Sequence, residues 1–267
     1  MPLTPHNGAA RWLVPFLCLA PLLAGCTEEP RTPASPSAPP SASAAFSAPP
    51  PTAGPPGRHA TREDARPRAV AGRLPGVGPA TGSRIPGGTR QALVVIGETP
   101  DTSVATAVLY EQDGTRRWRR TAGPWPAHNA LRGWTSEHWE GDLRTPIGVF
   151  GLGNAGGRLP DPGALLPYDQ NEEFAALGTG FLGEPLEGSF DHVVAIDYNR
   201  IPGTTPLDRE RPLGTERGGG VWIHVDHAGP TQGCISLPRE AMRELLRALD
   251  PDKQPVIVMG PAAELAQ

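Results

Sequence analysis

The run V-W-I-H-V-D-H-A-G-P-T-Q-G-C-I-S-L, from Val221 to Leu237, concentrates the residues able to do covalent chemistry. Cys234 lies ten positions after His224, with Asp226 and His227 between them. A thiol beside an imidazole is a nucleophile beside its base: the ring takes the thiol proton and later returns it to a leaving amine. In a strand alternate side chains share a face, so Val221, Ile223 and Val225 point to a core and Trp222, His224 and Asp226 to a groove. Alternation therefore favours His224 over His227 as the partner of Cys234. A helix is expected from about Leu237 to Leu249, capped by Ser236, with Leu237, Ala241, Leu245 and Leu249 on one apolar face. Cys234 then stands just ahead of a helix N-terminus, whose partial positive charge favours a thiolate. Gly233 permits a sharp turn or close approach, and the amides near Cys234 are candidates for holding an oxyanion.

Other readings compete. A lone cysteine is often a small buried hydrophobe. His224, Asp226, His227 and Cys234 are also metal-ligand types, although Asp226 and His227 are adjacent on a strand and point apart. A serine acyltransferase of penicillin-binding type is disfavoured, because the chain has no S-x-x-K and its only lysine is Lys253. A net charge of −4 with no basic cluster argues against nucleic acid as a partner.

The first 25 residues read as an export signal. Arg11 precedes an apolar run from Trp12 to Ala24 that is short for a membrane span and holds Pro15 and Pro21. It ends in Leu23-Ala24-Gly25-Cys26, which resembles a bacterial lipobox and implies lipidation of Cys26 and a membrane-anchored, extracytoplasmic protein. Residues 26–88 are rich in Pro, Ala, Ser and Gly and read as a disordered tether. Cys18 and Cys26 belong to the export segment, so Cys234 is left as a single thiol in a compartment that permits disulfides.

Residues 89–262 carry core-forming patterns. Strands are expected at Ala92 to Ile96 and Val104 to Tyr110, then an Asp113-Gly114 turn and a return from Arg116 to Thr121. Further strands are expected through Val149, Phe190 to Tyr198, the opening run, and Val256 to Met259. Trp118, Trp125, Trp134 and Trp139 read as loop residues, compatible with saccharide stacking or with anchoring. Residues 153–190 read as a long, Gly- and Pro-rich excursion over one face. The expected fold is mainly β, a sandwich or barrel with one C-terminal helix packed after the cysteine.

The pattern I-H, then T-x-G-C-I, together with T-P-I-G-V-F at 145–150 and V-A-I-D-Y-N-R at 194–200, resembles the L,D-transpeptidase catalytic domain of YkuD type. The resemblance implies Cys234 as nucleophile and His224 as base, with Gly233 and Thr231 in the motif and no cofactor. Gln232 stands where most members carry histidine, Ser236 where many carry arginine, and the His224–Cys234 loop is short for the family, so His227 stays a rival base. The implied substrates are peptidoglycan stem peptides, joined by 3→3 cross-links through a thioester. Carbapenem-type β-lactams are the implied inhibitors. With water as acceptor the same chemistry makes an L,D-carboxypeptidase; a wall-binding lipoprotein that keeps the fold without activity is the third reading.

Overall fold

The computed structural model describes residues 72–267. The export signal, Cys26 and the tether up to residue 71 lie outside the described residues. The described residues form twelve strands: β1 (Gln91–Gly97), β2 (Val104–Gln112), β3 (Trp118–His128), β4 (Trp134–Thr135), β5 (Thr145–Pro146), β6 (Gly148–Gly151), β7 (Ala155–Gly157), β8 (Tyr168–Gln170), β9 (Val193–Ala195), β10 (Trp222–Val225), β11 (Ile235–Leu237) and β12 (Val256–Pro261). Its α-helices are α1 (Pro79–Gly82), α2 (Arg239–Ala248) and α3 (Ala262–Leu265). Ten strands form one curled sheet in the order β6-β12-β1-β2-β3-β11-β10-β9-β7-β8, and β4 pairs with β5 apart from it. The mainly β expectation holds.

β1 is central because its sequence is apolar on both faces. Leu93 and Val95 enter the larger core; Ala92 and Val94 enter a second, smaller one. β12 divides the same way, with Ile257 and Met259 on one side and Val256 and Val258 on the other. Two-sided apolar strands need cover on both faces. Helix α2 covers the larger core with Ala241, Met242, Leu245 and Leu246, the last three contributing about 2 kcal/mol each. The second face is covered by α3 and by residues 72–88, which the sequence assigns to the tether. Leu74 and Val77 are buried there against Val94, Val258 and Leu265. Gly78 N and Ala80 N donate to the carbonyls of Leu265 and Gln267, both at 2.8 Å. Residues 72–88 therefore pack as part of the folded unit.

Two tryptophans depart from expectation. The strand expected at Arg116 to Thr121 runs on to His128 as β3 and takes in Trp125 as well as Trp118, and Trp134 lies in β4. Trp139 alone sits in a turn, with the Arg217 guanidinium 4.5 Å from its ring centre.

Candidate active site

The cysteine and both histidines meet in one cleft of about 360 Å³. β10 and β11 run parallel, with Ile223 level with Ile235 and His224 level with Ser236. Continuing that register sets Cys234 beside Trp222, and Trp222 N indeed donates to Cys234 Sγ at 3.4 Å. His224 lies two residues further along β10, roughly 7 Å up the strand and on the same face as Trp222. Val221, Ile223 and Val225 are buried in the core behind it, as alternation requires.

The helix expected right after Cys234 is displaced. Residues 235–237 form β11, and α2 starts at Arg239 with Pro238 as its N-cap at φ −50°, ψ 144°. Ile235 and Leu237 are buried in the core on one face of that strand. Ser236 points the other way and caps no helix: its hydroxyl donates to Asp226 Oδ1 at 2.6 Å. The thiol thus has no helix end to favour its anion. Surrounding atoms strip water from it and push its pKa up to about 11, the Trp222 N–H offsetting only part of that, although the side chain keeps an open side on the cleft. Its S–H points at Gly220 O, 3.8 Å away.

His224 is 3 % exposed, and its Nδ1–H donates to Val225 O at 2.9 Å, which leaves Nε2 as the bare acceptor. Burial pulls its pKa down to about 4, the carbonyl bond resisting in part. Phe190 packs edge-on against the ring at 5.4 Å. At neutral pH the pair is therefore an uncharged thiol and an uncharged imidazole, without a direct hydrogen bond between them among the described residues.

The remaining predicted site residues divide. Thr231 is a positioning residue: its hydroxyl donates to Cys234 O at 2.7 Å, and its backbone bonds to Asn129 and Leu131. Gln232 is exposed and lines the cleft beside Gly233. The N–H groups of Gln232, Gly233 and Cys234 find no acceptor among the described residues, so they are free to meet an oxyanion. His227 also lines the cleft, stacked on His224 with ring centres 5.7 Å apart, and its Nδ1 lies 3.1 Å from Glu184. Asp226 leaves the cleft, contrary to its expected place there. The chain turns at Ala228, φ 66°, and Asp226 accepts from His128 at 2.8 Å and from Ser236. Among the described residues no group of three or more His, Cys, Asp or Glu side chains is placed to hold a metal ion.

Sequence reading missed two walls. Residues of the 153–190 excursion, Ala176, Thr179, Phe181, Leu186 and Phe190 among them, line the cleft, and Glu184 ties that segment to His227. The other wall comes from the segment between β4 and β5, through His138, Glu140 and Gly141. Its only signal in the sequence is a histidine in H-W-E-G-D just ahead of T-P-I-G. Asp197 is mostly buried and bonded to Arg200, while Tyr198 sets its ring edge-on to His138.

Residues 99–258 match the family model for YkuD, the L,D-transpeptidase catalytic domain. No curated protein matches the chain.

Proposed function

The chain belongs to the L,D-transpeptidase catalytic-domain family, and from that membership we propose that it is a cysteine acyltransferase acting on peptidoglycan stem peptides. The observation that carries this reading is the free thiol of Cys234 in one cleft with a neutral, carbonyl-anchored His224. In the proposed reaction Nε2 of His224 takes the thiol proton as Sγ attacks the carbonyl of the residue before the terminal D-alanine. The oxyanion meets the N–H groups around Gly233 and Cys234. The C–N bond then breaks, D-alanine leaves with the proton from His224, and a thioester stays on Cys234. An amine of a second stem completes a 3→3 cross-link; water completes a carboxypeptidase reaction instead. The L-A-G-C run at 23–26 supports an extracytoplasmic protein held by a lipid on Cys26.

Incubation of the full-length protein with disaccharide-tetrapeptide, followed by mass spectrometry, tests the reading. The expected products are free D-alanine, an acyl adduct on the protein, and a 3→3 dimer. D-alanine without dimer makes the protein a carboxypeptidase, and folded protein with no adduct overturns both. Cys26→Ser is expected to move the protein from the membrane fraction to the soluble one; unchanged partitioning rules out the lipid at that position.

A further inference from the structure

The cleft has a third histidine, His138, that the acylation chemistry above leaves unused. The parallel pair β4–β5 closes a loop, residues 136–144, whose shape is fixed by its own bonds. Asp142 accepts from Trp139 N at 2.9 Å and from Arg144 N at 2.8 Å, and Arg144 Nη1 donates to Trp134 O at 3.0 Å. Glu140 N donates to Glu216 O at 3.0 Å. This frame holds the His138 side chain 7 % exposed, with Nδ1 3.0 Å from Asp142 Oδ1, off the line of a hydrogen bond and with no other partner among the described residues. Its Cε1 would lie 3.7 Å from a Cβ placed on Gly233, the residue before the thiol.

His138 Nε2 and Glu140 Oε2 converge on one spot. A Cβ on Gly218, which has φ 62°, would stand 2.8 Å from the first and 3.1 Å from the second. Both atoms therefore pack close together against the Gly218 backbone, two residues before the carbonyl that receives the Cys234 S–H, and both side chains line the cleft. The neighbours of His138 are Tyr198, Gly218, Gly233 and Asp142; those of His224 are Phe190, His227 and Val225. The arginines around this segment are occupied, Arg217 over Trp139, Arg211 on the carbonyls of Asp208 and Glu210, and Arg144 on Asp101.

We propose that His138 and Glu140 form the subsite for the acceptor amine, Glu140 holding it as an ammonium and His138 taking its proton. This rests on the reading of the protein as a stem-peptide acyltransferase. The bound ammonium gives one proton to His138 Nε2. The nitrogen lone pair then forms the C–N bond to the thioester carbon while the C–S bond breaks with its electron pair returning to Sγ. The second proton shed by nitrogen goes to sulfur and restores the thiol. Asp142, beside Nδ1, stabilises the imidazolium so formed.

The test separates the two half-reactions. Full-length protein is acylated with disaccharide-tetrapeptide, then offered diaminopimelate as the amine, and aminolysis is compared with hydrolysis over a pH series. For His138→Gln the expected result is a fall in aminolysis of about 100-fold, with the donor adduct still formed and aminolysis recovering only as pH nears the amine's own pKa. For the exposed Glu140→Gln, which leaves the core untouched, the acceptor KM rises roughly tenfold with kcat little changed, the scale of one charge-assisted hydrogen bond. Equal losses of acylation and aminolysis in His138→Gln, an unmoved acceptor KM in Glu140→Gln, or a wild-type acyl-enzyme that reacts with water alone overturns the subsite. Absence of any donor adduct in the wild type overturns the acyltransferase reading itself, a separate result.

Discussion

Cys234→Ser is expected to abolish both the acyl adduct and the 3→3 dimer, a loss on the order of 10⁴-fold or more, as for other catalytic nucleophiles. The substitution is conservative in space. A serine hydroxyl is smaller than the thiol but presents the same kinds of group, an acceptor on the side of Trp222 N and a donor on the side of Gly220 O, so it puts no new clash or unlike group into the pocket. The backbone bonds that shape the 231–234 turn survive, since they run through Thr231. What changes is the atom. An alcohol is far less acidic than a thiol, and His224, whose pKa burial has pulled down to about 4, is a weak base to activate it. Intact-mass measurement with disaccharide-tetrapeptide, and separately with a carbapenem, checks the expectation. A thermal melt confirms the fold. A folded serine variant that still takes up the carbapenem at the wild-type rate moves the nucleophile elsewhere in the chain.

The parts of this site that were legible in the sequence are those whose neighbours along the chain also decide their surroundings. β1 and the β2–β3 hairpin announce themselves through unbroken or alternating apolar runs and an Asp-Gly turn. His224 and Cys234 are close in sequence and joined by parallel strands, so alternation and spacing suffice to put them on one cleft. The segment after Cys234 misled because Leu237, Ala241 and Leu245 repeat at helical spacing and hid a three-residue strand in front of them. That strand exists only through tertiary pairing with β10 and β3, and three residues carry too little pattern to show a period. Residues 72–88 gave no local signal either. Leu74 and Val77 are sparse among glycines and prolines, and they order because β1 and β12 leave an apolar face to cover. His138 lies 96 positions before Cys234 in a segment without periodicity, and only the β4–β5 pairing brings it to the cleft. The consequence for chemistry is direct: with the helix end removed from Cys234, the thiolate has to be made by a base at the moment of attack.

His224→Gln tests that consequence, and its effect is expected to depend steeply on pH. The glutamine amide can replace the Nδ1–H bond to Val225 O, so the fold loses little, but no atom remains to take the thiol proton. In the wild type the thiol titrates near 11 and the imidazole near 4. Between those values the pair keeps a single shared proton, so acylation by a carbapenem is expected to be flat with pH, with limbs toward 4 and 11. In the variant the only nucleophile is the rare thiolate, so the rate should rise about tenfold per pH unit and approach the wild type only near pH 11. At pH 7 the loss is expected at about 10² to 10⁴-fold. Iodoacetamide gives a second readout in the wild type. With its pKa near 11 in place of the ordinary 9.0, Cys234 should alkylate at pH 7 roughly a hundredfold more slowly than a free cysteine. Stability supplies a third. The folded state keeps His224 neutral down to about pH 4, whereas the unfolded chain protonates it below 6.5. The wild type therefore holds this stabilisation in full above pH 6.5 and loses about 3 kcal/mol of it as pH falls to 4, at 1.4 kcal/mol per pKa unit. His224→Gln removes that slope, so its urea midpoint should drop less between pH 7 and pH 4.5. A wild type whose alkylation is fast and flat down to pH 5, as a preformed thiolate–imidazolium pair would give, contradicts the uncharged resting state, and the proton transfer to His224 would then precede substrate binding instead of accompanying attack.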